Sequence, residues 1–308
     1  MCRSDRDLFS VYIFIYRNEE GLKKTIKSVY EQNYERIELI ISDDHSIEDC
    51  SKQYQIIEEA LEPYKVKFEK IIINVNKKNL GTVKHINTVL NWGNGKYICL
   101  LGCGDGFYRE DVLQKVYYHF EICKTLVCTS KRIMCLDDRN IILPSKRVVK
   151  YMSKSSRDLL NLCCREINYI ATIGTFFRRE IFRKYGCFDE AYCLMEDAPF
   201  FLKILFNDEK ISFIDEVTCF YAKGGVSNRR EIDERLFKDS VRTLVELKYP
   251  NRNKLGGFTR RVVSFKYFFR GSNNWRIKLQ GCFFFPDALI FMGVFTIIDR
   301  LSKNRYLN

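Results

Sequence analysis

Proline is scarce, five in 308 residues, and the sixteen glycines form no repeat, which excludes collagen-like and wholly disordered chains. Histidine is scarcer still: with three in all, an imidazole-based zinc site has little to draw on, and the tight cysteine clusters, Cys163 with Cys164 and Cys99 with Cys103, read as core packing. Cysteine itself is plentiful, but thirteen is odd, no pair of CxxC motifs occurs, and the chain opens without the apolar core of a secretory leader. A disulfide framework is therefore not expected, and reduced, mostly buried thiols in a cytoplasmic protein are. No GxGxxG follows the first strand-like run and no GxxxxGK[ST] occurs, so dinucleotide-binding and P-loop readings lose support. An uninterrupted apolar run of roughly 18 to 20 residues, the length of a membrane span, is also missing. The most apolar stretch, Leu279 to Ile298, is split by Pro286 and Asp287.

What is present is the material of a large folded protein. Hydrophobic residues at 46% and charged residues at 29% suit one sizeable α/β domain with an appended segment, or two small domains. The 51 Lys and Arg exceed the 39 Asp and Glu by twelve, which points to an anionic partner: nucleic acid, an acidic membrane surface or a phosphorylated substrate. Much of that excess lies in the tail, where residues 255–308 carry nine basic side chains against Asp287 and Asp299.

Apolar, β-branched runs alternate with helical spacings through the first half. Leu8 to Tyr16 reads as a strand, and Leu22, Ile26, Val29 and Tyr30 mark a helix within Glu19 to Gln32. Ile37 to Ser42 is a second strand, followed by a helix through Ile56, Ile57, Ala60 and Leu61. Phe68 to Val75 is a third, followed by a helix through Val83, Ile86 and Leu90. Tyr97 to Leu101 is a fourth. Repeated βα units predict a mainly parallel sheet flanked by helices, with ligands at the carboxyl ends of the strands. After Thr125 the pattern is mixed: a strand over Leu126 to Met134, a helix near Asp158 to Cys163, an extended run from Tyr169 to Arg178, helices at Arg179 to Tyr185 and from Glu196, and a strand over Ile211 to Tyr221. A compositional shift near residue 230 divides the chain into 1–230 and a helical, basic-aromatic segment 231–308.

The polar residues collect at the predicted strand ends. Tyr16-Arg17-Asn18 closes the first, Asp43-Asp44-His45-Ser46 the second, Asn79-Leu80-Gly81 heads a helix bearing Lys84, and Gly102-Cys103-Gly104-Asp105-Gly106 closes the fourth. Further on come Thr172, Gly174 and Thr175, then Gly186-Cys187-Phe188-Asp189-Glu190 with Met195-Glu196-Asp197, and Gly224-Gly225-Val226-Ser227. In this order, from Phe9 to about Ser227, the series resembles the inverting GT-A nucleotide-sugar glycosyltransferases of family 2.

That resemblance implies a GT-A fold and a role for each position. Tyr16 would cover the flat face of a nucleotide base, and Asp43 and Asp44 would lie beside it, with Asp44 accepting an imide N–H of uracil. Lys84, at a helix head, would sit near the donor diphosphate, and Gly224 and Gly225 would loop over it. Asp105 takes the place of the last acid of a metal-binding DxD motif, with Gly102 and Gly104 where acids commonly stand, so a divalent ion, Mn²⁺ or Mg²⁺, would rest on one protein carboxylate plus donor phosphates. Thr172, Gly174 and Thr175 would line the acceptor side. Asp197 would be the general base, with Glu196 as supporting or alternative carboxylate.

The implied reaction moves a sugar, from a UDP-sugar, to a glycan or lipid-linked acceptor. Each residue also has a plainer reading: core packing for Tyr16, turn or cap duty for the paired acids, and a solvated surface for Lys84. Two rivals stand beside the enzyme: a silent GT-A scaffold, motivated by the missing acids, and a nucleic-acid binder, motivated by charge but lacking any recognition motif. Phe258, Val262, Phe265 and Phe269 fall on one helical stripe, so the tail either packs on the domain or lies on an anionic membrane surface, at its inner face for a cytoplasmic protein.

Overall fold

A computed structural model describes residues 6–135, 140–222, 233–271 and 274–305, with side chains up to Ile297. Strands β1 (Phe9–Ile15), β2 (Ile37–Asp43), β3 (Lys70–Val75) and β4 (Tyr97–Gly102) form a parallel set ordered β3-β2-β1-β4, with Phe9 opposite Ile37 on one side and Tyr97 on the other. β1 and β2 are covered on both faces, which is why they read as nearly continuous apolar runs. Alternate residues feed two cores. Tyr12, Ile40 and Leu100 pack toward helices α3 (Thr82–Leu90), α6 (Ser156–Arg165) and α8 (Asp197–Phe206). Val11, Ile13, Leu39 and Leu101 pack toward α1 (Leu22–Tyr30), α2 (Cys50–Leu61) and α4 (Val112–Cys123).

Beyond β4 the sheet becomes mixed. β8 (Thr175–Arg178) runs antiparallel to both β4 and β6 (Val127–Cys135), β9 (Ile211–Tyr221) is parallel to β6, and the short β5 (Gly106–Phe107) and β7 (Asn140–Leu143) pair antiparallel with β9 and β6. The extended run expected from Tyr169 narrows to four residues of strand, because 169–174 is a loop that turns through Gly174 at φ 76°. The structure adds α4, the two short strands and α5 (Lys146–Met152), none of which the periodicity reading identified. The cysteines among the described residues are all free thiols.

After α7 (Glu180–Tyr185), α8 and β9, α9 (Glu234–Arg242) continues as a π-helical turn over Thr243–Lys248 and leads to α10 (Gly257–Arg270). Leu244, Leu255 and Val263 join the larger core, so this part of the chain is built into the domain. α11 (Trp275–Phe284) and α12 (Pro286–Arg305) follow, meeting at a bend of 100°.

Candidate active site

The strand ends β1, β2 and β4 bring their polar residues to one edge of the sheet. Asp43 is fully buried: it accepts bonds from the Ser46 amide and hydroxyl and from Gln53 Nε2 at 3.0 Å, and so shapes its own turn. Asp44, 3% exposed, reaches the other way. Its Oδ1 accepts from Asn76 Nδ2 and the Leu80 amide, and its Oδ2 from the Gly81 amide, each at 2.9 Å. One lone pair of Oδ2 is left over, and the loop that starts α3 is fastened to the end of β2. Beneath it, His85 lies buried with Nε2 2.7 Å from Ser42 Oγ, and burial holds its pKa down despite Asp44 and Asp43 nearby. Tyr16 is 49% exposed with the Arg17 guanidinium 5.1 Å from its ring, and Lys84 projects to solvent from the first turn of α3.

The turn after β4 is tightly built. Asn18 Nδ2 donates to Cys103 O at 2.6 Å, and Thr25 Oγ1 donates to Asp105 O at 2.6 Å, joining the turn to β1 and α1. Asp105 is buried, and its Oδ1 accepts from the Ala222 amide at 2.8 Å and Oδ2 from the Gly102 amide at 3.3 Å. Burial pushes its pKa up to about 7, against the pull of those amides and of Lys24. A Cβ at 102 would lie 2.9 Å from Asp105 Oδ2 and displace that carboxylate, and Gly104 sits at φ 100°, where glycine is favoured. Among the described residues no group of three or more His, Cys, Asp or Glu is placed to hold a metal ion. The protein's own donor set, one buried carboxylate already bonded to two amides, does not fit a resident cation, and only an ion carried in by a diphosphate would find enough oxygens here.

Across the sheet, Glu196 and Asp197 stand at the head of α8. Thr172 Oγ1 donates to Glu196 Oε1 at 2.9 Å, and the Ala198 amide donates to Asp197 Oδ1 at 2.5 Å. Burial raises both carboxyl pKa values, and for Glu196 the neighbouring Asp197 charge adds to it. Arg132 and the Asn168 side chain act in the opposite direction on Asp197, favouring its ionised form. Gly174 and Thr175 do not join this group: both are buried, with Gly174 O accepting from Ser130 Oγ at 2.8 Å and Thr175 Oγ1 held on Thr129 and Ala171. Gly224 and Gly225 lie outside the described residues.

Sequence reading missed the residues that hold the site together. Arg132, whose charge acts on Asp197, stands at an irregularity in the β6–β9 register between Ser130 and Arg132, and no periodicity reports a bulge. Asp239, on α9, accepts from the amides of Cys193, Leu194 and Met195 at 2.8 to 3.1 Å and so fixes the segment that leads to Glu196. Asn87 bonds Phe188 at both its carbonyl (2.7 Å) and amide (3.1 Å), tying α3 to the turn after α7.

Comparison with known proteins places this arrangement. The chain is 26% identical over 266 residues to an uncharacterized glycosyltransferase of Methanocaldococcus jannaschii, covering 86% of each. It is 29% identical over 231 residues to the minor teichoic acid biosynthesis protein GgaA of Bacillus subtilis, covering 70% of this chain and 47% of that one. Among solved structures it is similar to S. aureus TarS 1–349 in complex with UDP-GlcNAc (TM-score 0.60, 18% identity, 91% of this chain and 81% of that one). The mannosyltransferase PcManGT of Pyrobaculum calidifontis, in complex with GDP-Man and Mn²⁺, is also similar (TM-score 0.56, 14% identity, 94% and 80%). These likenesses confirm a GT-A-type α/β fold. A sequence profile for glycosyl transferase family 2 matches residues 10–186, which is more than half of the chain and runs from β1 to the end of α7, and the chain therefore belongs to glycosyl transferase family 2.

Proposed function

We propose that this glycosyltransferase moves a hexose from a UDP-sugar to a hydroxyl of a glycan or lipid-linked acceptor with inversion, using Asp197 as general base. The observation that carries the reading is the Glu196–Asp197 pair: two buried carboxylates raised toward neutrality at a helix head, with the Ala198 amide, Arg132 and Asn168 favouring the ionised form of Asp197. A base poised near the operating pH is the arrangement general-base catalysis favours. Asp197 accepts the acceptor proton as the acceptor oxygen bonds to the anomeric carbon. The bond to the nucleoside diphosphate breaks on the opposite face, which gives inversion. Glu196, raised by burial and by the neighbouring Asp197 charge and held by Thr172, supports the shape of the site.

On the donor side, the spare lone pair of Asp44 is offered to an imide N–H, and the exposed Tyr16 ring to the base face. A neighbour that binds UDP-GlcNAc supports the uridine choice, and a relative in teichoic acid biosynthesis supports a cell-envelope acceptor. Mn²⁺ or Mg²⁺ enters here only as a companion of the donor diphosphate, resting on Asp105. The test is a thermal-shift screen of nucleotide sugars, followed by transfer assays with the best binder. Stabilisation by UDP-sugars with product formation supports the reading, whereas binding without transfer or donor hydrolysis turns it toward a silent GT-A scaffold.

A further inference from the structure

The bent pair α11–α12 carries two faces of opposite character. Inward, Gly281 lets α11 approach α10 so closely that a Cβ there would lie 2.8 Å from Phe268 Cβ. Ala288, Phe285, Phe291 and Met292 pack with Val262 and Phe265 in a small separate core. Arg261 clamps Asp287 through two bonds of 2.8 and 2.7 Å and also reaches Phe284 O. The hairpin is therefore fastened.

Outward, α11 presents Trp275 (64% exposed), Leu279, Phe283 (81%) and Phe284. α12 presents Ile290 (67%), Val294 and Ile297 at spacings of four and three. An outward apolar surface of this kind on a helix pair, held rigidly by an inner core, requires a partner. No single described helix is long and apolar enough to cross a membrane, and the two together are bent by 100°. Arg270, Arg276 and Lys278 flank the apolar strip, in the tail that holds most of the positive excess. A second copy of the chain would bring the same cations against these, so the charge selects an anionic surface over self-association.

We propose that α11 and α12 lie flat in the interface of an anionic lipid bilayer, apolar strips down, with the elbow at Phe283–Pro286 inserted deepest. The attachment also sets where the chemistry sits. Buried Lys266 on α10 donates to the carbonyls of Arg165 and Glu166, at 2.7 and 3.1 Å, at the end of α6. Two residues later comes Asn168, which bonds Ile170 O and N and whose side chain favours the ionised form of Asp197. One short chain of contacts thus joins the bilayer-seated hairpin to the acceptor-side base, which suits an acceptor carried in that bilayer. This deepens the lipid-linked reading of the acceptor, and the assay below needs no sugar transfer, so the two can fail separately.

The experiment is flotation of the full chain with phosphatidylcholine vesicles with and without phosphatidylglycerol, at low and high salt. Wild type is expected to float with the anionic vesicles and to be released by salt. Phe283→Ser with Ile290→Ser should weaken the partition by tenfold or more. Arg276→Glu with Lys278→Glu should remove most of the preference for phosphatidylglycerol. Unchanged melting temperature and UDP binding show that the variants are folded. Depth is read from Trp275 in a Trp92→Phe background, where vesicles should shift emission to the blue and brominated lipid should quench it. The proposal is overturned if wild type does not float or if the apolar variants float equally well. A lipid-free dimer that Phe283→Ser dissociates, or resistance to release by both salt and alkali, overturns it too, in favour of self-association or a true span.

Discussion

Asp197 has the most to reveal of any single side chain. A carboxyl whose pKa is raised in the native state binds its proton more tightly there than in the unfolded chain, so its contribution to stability is greatest at low pH and is lost as pH climbs through the native value. At pH 8 the ionised Asp197 is a cost to the fold. Asp197→Asn should therefore lower transfer by about 10²- to 10⁴-fold while leaving UDP affinity intact and the melting temperature no lower than that of wild type. An active Asp197→Asn enzyme would move the base elsewhere. In the proposed mechanism Arg132 acts through Asp197, as a positioning residue. Removing its charge in Arg132→Gln should carry the acid limb of the kcat/KM profile about one unit upward, whereas a purely structural role would lower kcat and leave the limb in place.

At the scale of elements, Asp44 fastens β2 to the head of α3 through three donors that would all lose their acceptor in Asp44→Ala. We expect a loss of about 2–4 kcal/mol of stability, together with weakened UDP binding. Unchanged UDP affinity in a folded Asp44→Ala protein would leave Asp44 as a loop anchor only. The same turn architecture gives a calorimetric expectation: Mn²⁺ should give no binding heat with the free protein and a measurable one with UDP present. Binding to the free protein that Asp105→Ala abolishes would overturn that reading, and binding that survives the substitution would show a cation site elsewhere. Much of this level was legible in the sequence. The βα alternation announced β1 to β4, because strands buried on both faces must be apolar throughout, and acids at strand ends announced the edge where the site forms. The extended run ending at Arg178 was legible, but its antiparallel insertion as β8 between β4 and β6 was not, since a local pattern carries neither strand direction nor sheet order. Nor were Arg132 and Asp239, whose roles depend on a register irregularity and on a contact across more than forty residues.

The whole molecule poses a question of boundaries. Composition shifts near residue 230, yet the contacts cross that point: Leu244, Leu255 and Val263 complete the larger core, Lys248 Nζ donates to Cys163 O at 2.8 Å, and Asp239 holds the segment before Glu196. A core deprived of those side chains loses both its apolar cover and the acceptors for three amides. The hairpin α11–α12, in contrast, meets the rest mainly through α10. Two truncations should therefore behave differently. A chain ending at residue 271 should unfold cooperatively and bind UDP, while one ending at residue 230 should lack a cooperative transition in thermal or urea unfolding. If the shorter chain unfolds cooperatively and binds UDP as well as the longer one, residues 231–270 are an appendage and the acceptor-side carboxylates are held by the N-terminal part alone. Asp239→Ala gives the same contrast within the intact chain. Donor affinity should stay unchanged, because the proposed donor edge lies at β1, β2 and β4, while kcat falls as the segment carrying Glu196 and Asp197 loses its anchor.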